Sequence, residues 1–161
     1  MGKGESKEMT GNVLTGNIIY FRKLHDKAVI PVKGSKKAKG YDLHAIEDVE
    51  ILAGEWALVK TGLCWQPEDD KVGLGIRPRS GLALKFGVTV LNAPGTIDAD
   101  YQGDIGVILI NHSKVDYLVS AGDRVAQMII EGADDVHIIE SDTICKDKTE
   151  RGEGGYGSTG K

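Results

Sequence analysis

Cysteine is scarce. Cys64 and Cys145 are the only two, and their spacing matches no metal-ligand or thiol-redox motif. That excludes a disulfide-stapled scaffold and a thiolate metal centre. A reducing, intracellular setting, most simply cytoplasmic, is the expectation. His25, His44, His112 and His137 are scattered, so no metal cluster is assigned. There is no excess of positive charge: the formal net charge is -4. Non-specific binding to nucleic acid or to acidic membranes needs a basic face, so neither is expected as a partner. No apolar run is long enough to cross a bilayer, and the first residues are too polar for a signal peptide. Aromatics make up only 6% and there are four prolines.

What is present fits one soluble domain. The 161 residues can bury a real core, and 40% hydrophobic with 27% charged residues is ordinary for a globular chain. Residues 1–17 are rich in Gly, Lys, Glu and Ser and read as a disordered leader. Residues 18–145 carry the apolar runs, and residues 146–161 form a flexible glycine-rich tail. Ile18 to Phe21, Val49 to Leu52, Trp56 to Val59, Val88 to Leu91, Ile105 to Ile110, Tyr117 to Val119, Arg124 to Ile130 and Val136 to Ile139 read as short strands. Val72, Leu74 and Ile76 alternate with other residues at a period of two. The Val88 to Leu91 and Ile105 to Ile110 runs carry apolar residues on both faces, which predicts deep burial. Asn92-Ala93-Pro94-Gly95 between them reads as a hairpin connection. Only Ser80 to Phe86 suggests a helix, with Ser80 as its N-cap. The fold class is therefore all-β, a sandwich or barrel of short strands with one short helix.

Several stretches carry chemistry-bearing residues. Arg151 to Lys161 sets one arginine, one tyrosine and two hydroxyls among five glycines. Backbone amides unshielded by side chains approach an anion closely, and the arginine fork fits phosphate oxygens. The bland alternative is a frayed terminus. Arg77-Pro78-Arg79-Ser80-Gly81 sets guanidinium, hydroxyl and helix-start amides together, either as a phosphate site or as a capped surface turn. Thr96 to Gly103 contains Asp98 and Asp100, which share a face if extended and otherwise form turns. A carboxylate there can accept a proton from water; Tyr101 is either ligand wall or core. Gln127 sits in an apolar strand, where a buried amide needs a backbone or ligand partner. Asp42 lies in a β-like run, as support for an arginine or hydrated cation, or as a turn cap.

Five segments, in order, resemble the motifs of the trimeric dUTP pyrophosphatases, or dUTPases. They are Lys39 to Ala45, Pro78 to Ala83, Asn92 to Gly103, Gly122 to Ile129 and Arg151 to Gly160. Singly each is weak; all five in order are specific, and the Asn-Ala-Pro-Gly-Thr stretch looks most like bacterial members. The resemblance implies a jelly-roll-like β fold, a homotrimer with shared active sites, and hydrolysis of dUTP to dUMP and pyrophosphate with Mg²⁺. It also implies roles. Asp98 would be the base that activates water for attack on the α-phosphorus. Asn92 and the surrounding segment, Thr96 included, would read the uracil edge and exclude thymine's methyl group. Tyr101 would pack on the deoxyribose. Arg79, Ser80 and Gly81 would hold the phosphates, with Gln127 on a phosphate or the water. Asp42 would act through metal-bound water, with no direct metal ligand from the chain. Arg151, Ser158 and Thr159, with Gly157 in the same tail, would clamp the γ-phosphate while Tyr156 stacks on uracil. Lys39, Phe86 and Tyr156 depart from the commoner family residues without removing any of these groups. Two rival readings are dCTP deamination on a related scaffold and a non-catalytic nucleotide or protein binder.

Overall fold

The computed structural model describes residues 17–133, 136–146, 149 and 151–156. The resemblance's jelly-roll-like expectation holds: among the described residues the regular elements are short strands around one core, with one short helix. β1 (Asn17–Lys23) lies between β5 (Leu63–Pro67), antiparallel, and β12 (Val136–Glu140), parallel. Asn17, which composition assigns to the leader, already pairs with Val136. A second sheet orders β2 (Tyr41–His44), β11 (Arg124–Glu131), β6 (Gly73–Arg77) and β8 (Gly95–Ile97) side by side. A third orders β4 (Trp56–Lys60), β9 (Gly106–Asn111) and β7 (Val88–Val90). β3 (Val49–Ile51) pairs with β10 (Tyr117–Val119). The enclosed core includes Ile19, Phe21, Leu43, Val59, Trp65, Leu74, Leu109 and Met128.

Three sequence expectations need correction. The Val88 and Ile105 runs do pair antiparallel, as β7 on β9, but Asn92 to Gly95 is not a tight hairpin between them: it crosses into β8, which pairs with β6 in another sheet before the chain returns to β9. Turn residues mark a change of direction, but not which strand comes next in space. The Ile105 to Ile110 run is not buried on both faces. Val107, Leu109 and Asn111 point inward, while Ile108 and Ile110 lie on a half-open outer face. Opposite them on β4 stand Trp56, paired with Ile110, and Leu58, paired with Ile108. Trp56 is 60% exposed and Leu58 42%. An apolar face that one chain leaves open looks, in sequence, like a core strand.

The third correction concerns the helix. α1 (Ser80–Phe86) has Arg79 as its N-cap with no side-chain cap bond, so Ser80 is the first helical residue. Gly87 ends it in the left-handed conformation, φ 67°, where its amide reaches back to the Ala83 and Leu82 carbonyls. Buried Asn111 is fully used: its amide nitrogen donates to the Ile51 and Val115 carbonyls, and its oxygen accepts from Ser113. It thereby locks the turn after β9 to β3.

Candidate active site

The residues singled out by sequence fall into two groups at opposite ends of β6. The first gathers where β6 runs into α1. Pro78 cannot continue a ladder, and the chain turns there into the helix. Arg79 then points its guanidinium at Asp42 on β2, with Nε 4.0 Å from Oδ1. Arg124 Nη1 lies 3.3 Å from Asp42 Oδ2, and Arg79 donates to the Arg124 carbonyl at 2.7 Å. The β2–β11 register shifts between Arg124 and Ala126. Such a bulge re-aims a side chain. It also explains why Val125 and Ala126 are both buried in succession, after which the strand alternates normally, with Met128 facing the core and Gln127 and Ile129 the other side. Gln127 Nε2 donates to the Pro78 carbonyl at 3.0 Å and so braces the segment that carries Arg79. Gly40 is required beside it, because a Cβ there would collide with the Gln127 amide.

Asp42 thus organises two guanidinium groups. Burial lowers the pKa of neighbouring His44, Asp42 pulls the other way, and Arg124 and Arg79 add to the lowering. The imidazole is neutral near pH 7 and leaves this cluster cationic. Ser80 and Gly81 are exposed beside it, and a Cβ on Gly81 would meet nothing within 4 Å.

The second group surrounds a cavity of about 180 Å³ lined by Asn92, Thr96, Tyr101, Ile108 and Tyr156, among others. Cavities for drug-sized ligands run to ~300–1,000 Å³, so this one suits a single small ring. Tyr101 is buried and donates its hydroxyl to the Asp104 carbonyl at 2.8 Å. Burial, together with the nearby Tyr156, pushes its pKa to about 12, so it remains a neutral phenol. Tyr156 closes one side, its hydroxyl accepting from the Gly106 amide at 3.0 Å.

Asp98 adjoins this cavity through Ile97 and Arg151, which line it, and itself lines a neighbouring open groove. It is not in an extended segment: the Tyr101 amide donates to the Asp98 carbonyl at 3.1 Å, which makes a turn. The turn still presents Asp98 and Asp100 to one guanidinium. Arg151 Nη1 bonds Asp98 Oδ2 and lies 3.9 Å from Asp100 Oδ1. Its guanidinium also sits 5.4 Å from the Tyr101 ring centre. The tail is held there by the Gln102 amide on the Gly152 carbonyl at 2.8 Å and Thr149 Oγ1 on the Asp100 carbonyl at 2.8 Å. An open groove of about 1300 Å³ begins at this same ion pair and runs under the tail root. Gly157, Ser158 and Thr159 lie outside the described residues.

Sequence reading missed Arg124 and Thr149. Arg124 had a signal, a cation opening the strand that carries Gln127. Thr149 had none, since its bond depends on where the tail lands. Leu74 on β6 pairs with Ile97, just before Asp98, while Arg79 lies beyond the other end of the strand. At about 3.3 Å per residue the two groups are on the order of 15 Å apart within one chain. Among the described residues, no three His, Cys, Asp or Glu side chains are grouped to hold a metal ion, and no helix is long and apolar enough to cross a membrane.

The dUTPase family model matches residues 26–160. The deoxyuridine 5'-triphosphate nucleotidohydrolase of Nautilia profundicola is 50% identical over 143 residues, covering 89% of this chain and 99% of that protein. The solved dUTPase of Streptococcus mutans is 30% identical, with a TM-score of 0.62 over 68% of this chain and 92% of its own. The dUTPase of Staphylococcus aureus phage phi11, described as coordinating a structural Mg(II) ion, shares the fold. It has 24% identity and a TM-score of 0.64 over 70% of this chain and 88% of its own.

Proposed function

The chain belongs to the dUTPase family, and from that premise we propose that it hydrolyses dUTP to dUMP and pyrophosphate, with Asp98 as the base. Such an activity limits uracil in DNA and supplies dUMP. The observation that carries the reading is Asp98, a carboxylate on the open groove, paired with the tail arginine that also lines the one-ring cavity. Uracil enters the cavity against Asn92 and Thr96, the deoxyribose packs on Tyr101, and Tyr156 covers the base. Asp98 takes a proton from a water that attacks the α-phosphorus. The bond to the bridging oxygen breaks and pyrophosphate leaves. Little covalent work falls to the protein; positioning and charge stabilisation do most of it.

The remaining groups serve the phosphates. Arg79 and Ser80 hold the chain of phosphates, and the open space above Gly81 admits them closely. Gln127 keeps Arg79 in place. Arg151 leaves Asp98 for the γ-phosphate as substrate binds, joined by Gly157, Ser158 and Thr159. The donor set fits Mg²⁺ held chiefly by phosphate oxygens and water, because Asp42 is committed to two arginines and the described residues offer no cage. When bound, Mg²⁺ would neutralise charge on the triphosphate, and Asp42 would act on it through metal-bound water.

The same geometry supports self-association as a homotrimer with shared sites. The arginine cluster and Asp98 sit too far apart in one chain to meet one triphosphate, so a second chain must supply one of them. The open Trp56–Leu58–Ile108–Ile110 face is the kind of surface that monomers rarely leave bare. Trp56→Lys combined with Leu58→Lys is expected to convert the trimer to monomer in sedimentation. Turnover is expected to fall at least tenfold. An unchanged trimer would move the interface elsewhere.

The activity itself is tested by pyrophosphate release with Mg²⁺ from dUTP, dTTP, dCTP and UTP in parallel. Release from dUTP alone, with dUMP as co-product, is expected. Ammonia from dCTP would favour deamination, and tight dUTP binding without hydrolysis would favour a non-catalytic binder.

A further inference from the structure

Cys64 and Cys145 are far apart in sequence, yet the fold brings them together at the root of the tail. Cys64 lies on β5 opposite Arg22 on β1. The segment after β12 closes over that face. The Ser141 amide donates to the Phe21 carbonyl at 2.8 Å, Arg22 Nη1 donates to the Ile144 carbonyl at 2.9 Å, and the Cys145 amide donates to Gln66 Oε1 at 3.3 Å. Cys145 itself adopts φ 57°, the left-handed region that residues other than glycine rarely enter. Its Sγ donates to the Trp65 carbonyl at 3.4 Å, one residue past Cys64. That contact places the Cys145 thiol over the stretch of β5 that carries Cys64. The nearby Cys145 thiol lowers the Cys64 pKa, burial opposes the shift, and the Arg22 guanidinium adds to the lowering. The Cys64 thiol, with burial, raises that of Cys145. The pair is therefore unequal: Cys64 favours the thiolate and Cys145 keeps its proton.

We propose that Cys64 and Cys145 form a reversible intrachain disulfide by exchange with a small-molecule disulfide, fixing the root of the tail to β5. Cys145, the more exposed sulfur, passes its proton to Cys64 as it displaces one thiol from the reagent, and carries the other as a mixed disulfide. Cys64 then attacks the Cys145 sulfur and expels the second thiol. Two protons and two electrons leave the protein, one S–S bond forms in it, and the reagent's S–S bond is reduced to two thiols. The bridge closes a long loop, which constrains the unfolded chain strongly. It also anchors the tail six residues before Arg151. At about 3.5 Å per residue, that arm reaches at most about 20 Å from β5.

The test equilibrates the folded full chain with oxidised glutathione, then counts thiols and maps peptides under acid quench. Loss of both thiols, a Cys64–Cys145 peptide that dithiothreitol splits, and a rise in Tm of about 5 °C or more are expected. Cys64→Ala and Cys145→Ser are each expected to lack the Tm rise. Two thiols still titratable in excess oxidant would overturn the proposal. So would a bridge that joins two chains, a Tm that stays level or falls, or a Tm rise that persists in either variant. The wild-type peptide map decides the question even if a variant fails to fold.

Discussion

Asp98→Asn is expected to lower kcat for dUTP by about 10²–10⁴-fold, the usual contribution of a positioned general base. That corresponds to about 3–5 kcal/mol of barrier. The amide keeps the size of the carboxylate and still accepts a hydrogen bond from Arg151, so the turn at Asp98 to Tyr101 is retained. It cannot take a proton from water. Affinity for dUTP is expected to stay within a few-fold and Tm within a few degrees, measured by calorimetry on the same preparation. Turnover within tenfold of the parent would remove Asp98 as the base. Asp100 would then be the next carboxylate to test, because Arg151 lies 3.9 Å from it.

The strands and the ordered motifs were legible because apolar periodicity and short residue patterns are local. Long-range placement was not. Asn92 to Gly95 has hairpin-like turn residues, yet the strands on either side join different sheets. Pairing choice depends on the whole core. Ser80 has the chemistry of an N-cap, but Pro78 and the exit from β6 place the cap one residue earlier. Gln127 was correctly suspected of a backbone bond or a ligand. The structure gives it Pro78, which makes it a brace for Arg79. Asp42 was read as support for an arginine or a hydrated cation, and the bulge that aims Arg124 at it has no sequence signal of its own. Ile108 and Ile110 were misread as core because apolar residues look alike whether they face the interior or an open surface.

Removing residues 151–161 is expected to reduce kcat/KM for dUTP by at least about 10³-fold while leaving a folded trimer. In the described chain the tail's contributions are polar and terminal. Arg151 bonds Asp98, Gly152 accepts from Gln102, and Tyr156 covers the cavity through the Gly106 amide. None of these residues belongs to the hydrophobic core, so Tm should move by only a few degrees. The Arg151–Asp98 pair makes Arg151→Ala the sharper experiment. If Arg151 serves mainly to stabilise phosphate charge, its loss costs about 10²–10³-fold in kcat, as removal of one preorganised donor does. Arg151→Lys would recover only part, because a point charge cannot reproduce the fork. If the ion pair instead merely holds Asp98 back until substrate arrives, Arg151→Ala would turn over as fast as the parent or faster. A full-length Arg151→Ala protein with undiminished kcat, or an active truncated chain, would therefore refute the tail as part of the catalytic assembly and leave Tyr101 and the cavity to position dUTP unaided.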